Sequence, residues 1–209
     1  PLRPSEMVVL KSLPESTASG WRVTGDKLAA NHSRCWLRVA ANLLLSGLIL
    51  AGSAWAAEFD EYAVKAAYLY NFAKFVEWPP GTFATTDAPL LICIAGDNPF
   101  GAALATLSDK TVENHPVRLR HMPTAGSLAQ CHIVFISRTE QGRFRAMLEK
   151  LDDLPILSVS DIADFTRAGG MIDLVEVEQR IRFNINLSAA RRARLRLSSQ
   201  LLKLATIVE

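Results

Sequence analysis

Three of the four histidines follow residue 57: His115, His121 and His132. None stands in an H-x-x-x-H spacing or beside a C-x-x-C pair, and a metal centre needs ligands gathered by such spacing. They read as packed or surface side chains, with His132 opening an apolar stretch. Gly96 and Gly101 follow a predicted strand five residues apart, an echo of a phosphate loop. However, Ala102-Ala103 replaces the Lys-Ser/Thr that would contact phosphate and magnesium, and Pro99 removes an amide donor. The segment reads instead as a strand-to-helix turn capped by Asp97 or Asn98. Asp152-Asp153 and the set Asp161, Asp164 and Asp173 have the chemistry for proton transfer or for holding a cation. They fall in predicted turns, where solvation is the expectation. No nucleophile–base pair or metal cluster emerges, which leaves either a ligand- or protein-binding regulator or an enzyme whose site the sequence alone does not show; no metal or cofactor is expected.

Two other residue classes remain. Cys35, Cys93 and Cys131 are the cysteines, and Arg191, Arg192, Arg194 and Arg196 crowd the C-terminal region. With Leu187, Leu195, Leu197, Leu201, Leu202 and Leu204 interleaved, the arginines suggest an amphipathic helix. Its basic face is either an ordinary solvated surface or a docking site for an acidic partner or anionic headgroups.

The N-terminal region decides which cysteines count. Lys27, Arg34 and Arg38 precede an apolar run from Val39 to Ala51, and small residues then lead to Ala54-Trp55-Ala56. A basic region, an apolar run shorter than the roughly 20 residues of a membrane span and an A-x-A ending form an export signal. Cleavage is expected between Ala56 and Ala57, which sets the domains as a leader over 1–56 and an α/β domain over 57–209. The leader takes six of the 23 Lys/Arg and three of the 21 Asp/Glu, leaving 17 basic and 18 acidic residues. Composition then gives no support to nucleic-acid binding. Cys35 is also removed. Cys93 and Cys131 remain as an even pair in an oxidising compartment, where a disulfide is favoured over two buried thiols.

Stepping along the exported part, Glu58–Val76 has apolar residues at three- and four-residue intervals and reads as an aromatic-rich helix stopped by Trp78-Pro79-Pro80-Gly81. Continuous apolar runs at Leu90–Ala95, Cys131–Ser137 and Ile156–Val159 read as strands covered on both faces. A short alternating strand is expected over Val117–His121. Helices are expected from about Phe100 to Leu107, over Glu140–Leu151 and from about Ser188 to Ile207. Asp161–Arg167 reads as a helical turn ended by Gly169-Gly170. Met171–Val177 and Arg180–Asn186 alternate around Glu178-Gln179 and predict a hairpin. The fold class is therefore α/β: a single domain with a mostly parallel, doubly wound-like sheet, a C-terminal antiparallel hairpin and flanking helices. In that topology the strands bearing Cys93 and Cys131 are neighbours, and the crevice at the ends of Leu90–Ala95 and Cys131–Ile136 is the default ligand position.

The segments AAYLYNFAKFVEWP (Ala66–Pro79), LLICIAGDNPFG (Leu90–Gly101), CHIVFIS (Cys131–Ser137) and Gly169–Ala205 resemble, in order and spacing, the YfiR family. The resemblance implies a periplasmic regulator without enzymatic activity. Such a regulator represses an inner-membrane diguanylate cyclase (YfiN-like) by contacting its periplasmic region, so that cyclic-di-GMP and biofilm formation fall. It also implies an outer-membrane lipoprotein partner (YfiB-like), a homodimer, and a disulfide between Cys93 and Cys131. The second cysteine pair of family members is missing here. The partner-binding residues expected from the basic run are Arg191, Arg192 and Arg194. A small-molecule-binding sensor subunit is the alternative.

Overall fold

The computed structural model describes residues 60–122 and 128–208, which fall within one unit, Ala57–Glu209. The export signal and the Ala56–Ala57 cleavage point lie outside the described residues.

The first helix, α1 (Glu61–Phe75), starts where the Asp60 side chain accepts the Ala63 amide at 3.0 Å. It stops before the prolines, because Val76 turns extended and Val76–Glu77 (β1) leaves the helix as a strand. Pairing with another segment ends this helix, not Pro79-Pro80. Then come β2 (Leu90–Ala95), a one-turn α2 (Ala102–Ala105), β3 (Thr111–Val112), β4 (His115–Met122), β5 (Ile133–Ile136), α3 (Phe144–Leu151), β6 (Leu157–Ser160), β7 (Ile172–Val177) and β8 (Arg180–Asn186). The chain closes with α4 (Leu187–Arg192), β9 (Arg196–Leu197), α5 (Ser199–Leu202) and β10 (Thr206–Val208).

Eight strands form one sheet in the order β10-β8-β7-β6-β5-β2-β4-β3. The pairs β4–β2, β2–β5, β5–β6, β6–β7 and β8–β10 are parallel, and β7–β8 and β3–β4 are antiparallel. This is the mostly parallel α/β sheet with an antiparallel hairpin that the alternation of patterns predicts. Side chains alternate across the pleat. Leu90, Ile92 and Ile94 of β2 therefore join α1's Leu69 and Phe72 in one core, while Cys93 and Ala95 join α3's Phe144, Met147 and Leu151 in the other. Both faces are covered, which is why these strands read as unbroken apolar runs.

The hairpin turn uses two residues, Glu178 and Gln179, both left-handed at φ 51° and 58°, with Val177 opposite Arg180. Its twist matches the flanking strands although neither residue is glycine.

Three expected helices differ. The segment after Phe100 is helical only over Ala102–Ala105; Gly101, at φ 53°, caps it without a side chain. Asn98, not Asp97, organises that turn, its Oδ1 accepting the Phe100 amide at 3.0 Å. α3 begins at Phe144 because Arg138–Glu140 forms a separate 3₁₀ turn. The long C-terminal helix is replaced by α4, β9, α5 and β10. Arg194 takes φ 59°, and the Arg194 and Leu195 amides bond back to Arg191 and Ala190. That is a Schellman closure with arginine where glycine is usual. β9 then pairs antiparallel with β1, and Ser198 caps α5 by accepting the Leu201 amide. One continuous arginine face is therefore absent.

Candidate functional site

The strand-end crevice is a built polar cluster. Lys65 lies on the α1 stripe that carries Leu69 and Phe72, spaced four and three residues apart. It is fully buried. Its Nζ bonds Asp161 Oδ2 at 2.6 Å, just past the end of β6, and also Glu61 Oε1 one turn earlier. Tyr62 donates to Asp161 Oδ2 at 3.1 Å, and Arg138, after β5, places Nε 3.2 Å from the same oxygen. Burial, followed by the Asp161 charge, pushes the Tyr62 phenol up to about 12. Tyr62 therefore stays a neutral donor. Asp161 and Asp173 are buried, which corrects the expectation of solvated turn carboxylates; only Asp164 of that set is exposed. Removing one member of such a buried pair leaves the other uncompensated, at a cost of about 3–5 kcal/mol.

The crevice has little room for a ligand. Gly96, at φ 83°, follows β2, and a Cβ there would meet Thr139 Oγ1 at 2.6 Å and Glu140 Cγ at 2.8 Å. The Asp97 amide donates to Thr139 Oγ1 at 3.0 Å, which seals the turn after β5 against the end of β2. The cluster thus ties α1 to the strand ends β5 and β6. Sequence reasoning missed Lys65, and the available signal was a charge on an otherwise apolar stripe.

Cys93 and Cys131 are disulfide-bonded, with Cα atoms 6.0 Å apart, in the range a bridge requires. Both sulfurs face the α3 side of the sheet, in the core. At the opposite strand ends, Phe83 stacks between His115 and His132, with ring centroids 3.8 and 4.4 Å away. His132 Nδ1 accepts the Leu91 amide at 3.0 Å, so the histidines are packed groups. Among the described residues no three His, Cys, Asp or Glu gather to hold a metal ion, and no helix is long and apolar enough to cross a membrane.

Arg191, Arg192 and Arg194 are all exposed. Arg191 and Arg192 end α4, and Arg194 lies in the turn that follows. Arg192 sits 3.6 Å from Asp152, and Arg194 donates to the Asp153 carbonyl at 3.4 Å. An apolar surface stands elsewhere. Tyr68, Phe72 and Phe75 of α1, with Phe183 and Leu201, line a cavity of about 230 Å³ whose rim includes Leu204, 74% exposed. An exposed leucine beside a half-open aromatic cavity is the kind of surface that marks a protein contact.

No curated protein matches the chain. The model of one family, described as YfiR/HmsC-like, matches residues 62–206. That span runs from the second residue of α1 to the first of β10 and takes in the polar cluster apart from Glu61, the disulfide and the apolar surface. The chain belongs to the YfiR/HmsC-like family, whose members act as periplasmic regulators of cyclic-di-GMP signalling and not as catalysts.

Proposed function

We propose that this protein is a periplasmic repressor that holds an inner-membrane diguanylate cyclase in its inactive state by binding the cyclase's periplasmic region. Family membership over residues 62–206 is the observation that carries this reading. The aromatic cavity of α1, rimmed by Leu204, supports it as the docking surface, and Arg191, Arg192 and Arg194 are the basic residues proposed to contact the partner. Repression of this kind is population shift: a ligand that binds one conformation more tightly draws the equilibrium to it. An outer-membrane lipoprotein that competes for the repressor, and a homodimer of the chain, complete the proposal. The signal ending at Ala56 would deliver the chain to the compartment where these partners meet. The sensor-subunit alternative has less support at this crevice, where Thr139 and Glu140 pack closely against Gly96.

Deletion of the gene is expected to raise cyclic-di-GMP, and the exported chain to restore it to its original level. A version lacking residues 1–56 should not complement. Unchanged nucleotide in the deletion strain would overturn the repressor assignment. Alanine at Arg191, Arg192 and Arg194 together, with repression intact, would remove the arginines from the docking surface.

A further inference from the structure

Asp173 is the buried carboxylate that the regulatory reading leaves unused. It is 2% exposed. Its Oδ2 accepts from the Thr166 hydroxyl at 2.8 Å and the Thr166 amide at 3.4 Å, and its Oδ1 has no hydrogen-bond partner among the described residues. A carboxyl oxygen held out of water without a donor is costly, which presses the site to accept one.

Asp173 lines a cavity of about 380 Å³ that opens at the sheet edge. The register explains its walls. Asp173 of β7 is opposite Asn184 of β8, and Asn184 is opposite Thr206 of β10. The three polar side chains thus form a row across neighbouring strands on one face, running from the buried carboxylate to the exposed edge. Ala163, Val175 and Val208 supply apolar wall beside them. The turn that carries Thr166 is pinned from β8, where Asn186 Nδ2 donates to the Thr166 carbonyl at 2.9 Å. Asp164 and Arg167 also line the cavity and pair with each other at 2.8 Å, which leaves Asp173 as the lining carboxyl without a basic partner.

From this we infer a binding site for a small organic ammonium compound. A primary ammonium has three N–H donors and no acceptor, which suits a row of acceptor oxygens from Asp173, Asn184 and Thr206. A short alkyl body would lie on Ala163, Val175 and Val208. A divalent metal ion fits poorly, since calcium and magnesium sites collect several oxygen ligands with more than one carboxylate, and the cavity greatly exceeds an ion's volume.

The test is a titration of the purified full chain with n-butylammonium chloride, followed by the backbone amide shifts of Thr166, Asn184 and Thr206. n-Butanol and calcium chloride serve as separate comparisons. Saturable movement of these amides by butylammonium is expected, with n-butanol at least tenfold weaker. Asp173→Asn should weaken the response by about tenfold or more. Thr206→Trp, at an exposed position, should block the cavity mouth and abolish the response with the fold intact, so it decides the matter if Asp173→Asn does not fold. No movement by butylammonium would mean a cavity that holds water only. An equal response to n-butanol, an unchanged response in Thr206→Trp, or the same shifts from calcium alone would each overturn the proposal.

Discussion

His132 shows how one side chain's surroundings set a property of the whole fold. Its ring is stacked flat on Phe83, 7° from parallel, and its Nδ1 is occupied by the Leu91 amide. Burial, and next the nearby His115, hold its pKa down at about 4, against an ordinary value of 6.5. A lowered folded-state value means the unfolded chain binds the extra proton first as pH falls. The contribution to stability is then fully present above about pH 6.5 and is lost between there and about pH 4. Allowing for the ring's partial exposure, the loss is roughly 2 kcal/mol. Asn at this position offers an oxygen to the Leu91 amide and carries no titrating proton. His132→Asn should therefore flatten the pH dependence of urea unfolding across that window, and slopes identical to the parent would show that other groups carry it. The contrast with Lys65 is one of legibility. A histidine at the head of an apolar strand can be read as packed from the sequence, whereas Lys65 meets a partner 96 residues away that no local pattern announces.

At the scale of elements, the strands were legible and the C-terminal helix was not, for a physical reason. β2, β5 and β6 are covered on both faces, so burial writes them as continuous apolar runs, and β8 alternates because one of its faces is more exposed than the other. After Leu187 the leucine and arginine spacing fits a helix throughout, and the usual glycine stop is missing. Arg194 occupies that left-handed position at φ 59°. Similarly, the buried polar cluster escaped notice because Asp161 sits among turn residues, and only the parallel sheet carries it to α1. A β-carbon in the left-handed region is strained, and the side-chain bond Arg194 makes is long, at 3.4 Å. Arg194→Gly is therefore expected to raise stability by about 0.5–1 kcal/mol, since the relief of strain exceeds the added freedom of the unfolded chain. Measured by urea denaturation, a loss of stability would mean that the guanidinium's hold on Asp153 outweighs the strain.

For the whole molecule, the Cys93–Cys131 bridge links central strand β2 to the turn just before its neighbour β5, across a sequence separation of 38. The segment it encloses includes α2, β3 and β4, one entire flank of the sheet. A cross-link of this span removes loop-closure freedom from the unfolded chain. The chain-entropy model gives about 4 kcal/mol, and native disulfides of small exported domains contribute roughly 2–5 kcal/mol. A domain with one such bridge draws a sizeable share of a total that is seldom above about 15 kcal/mol from the compartment's redox state. Both sulfurs are buried, 0% and 3% exposed by residue, so reductant reaches them only when the sheet opens. Two outcomes follow. Replacing both cysteines by alanine should lower unfolding stability by about 2–4 kcal/mol, and reduction of the native protein should accelerate with added urea well below the unfolding midpoint. If full reduction leaves the midpoint unmoved, the sheet's packing alone sustains the fold. If stability falls as expected, an oxidising environment contributes to folding, because the bridge reinforces the β2–β5 pairing that joins the β4 flank to the rest of the sheet.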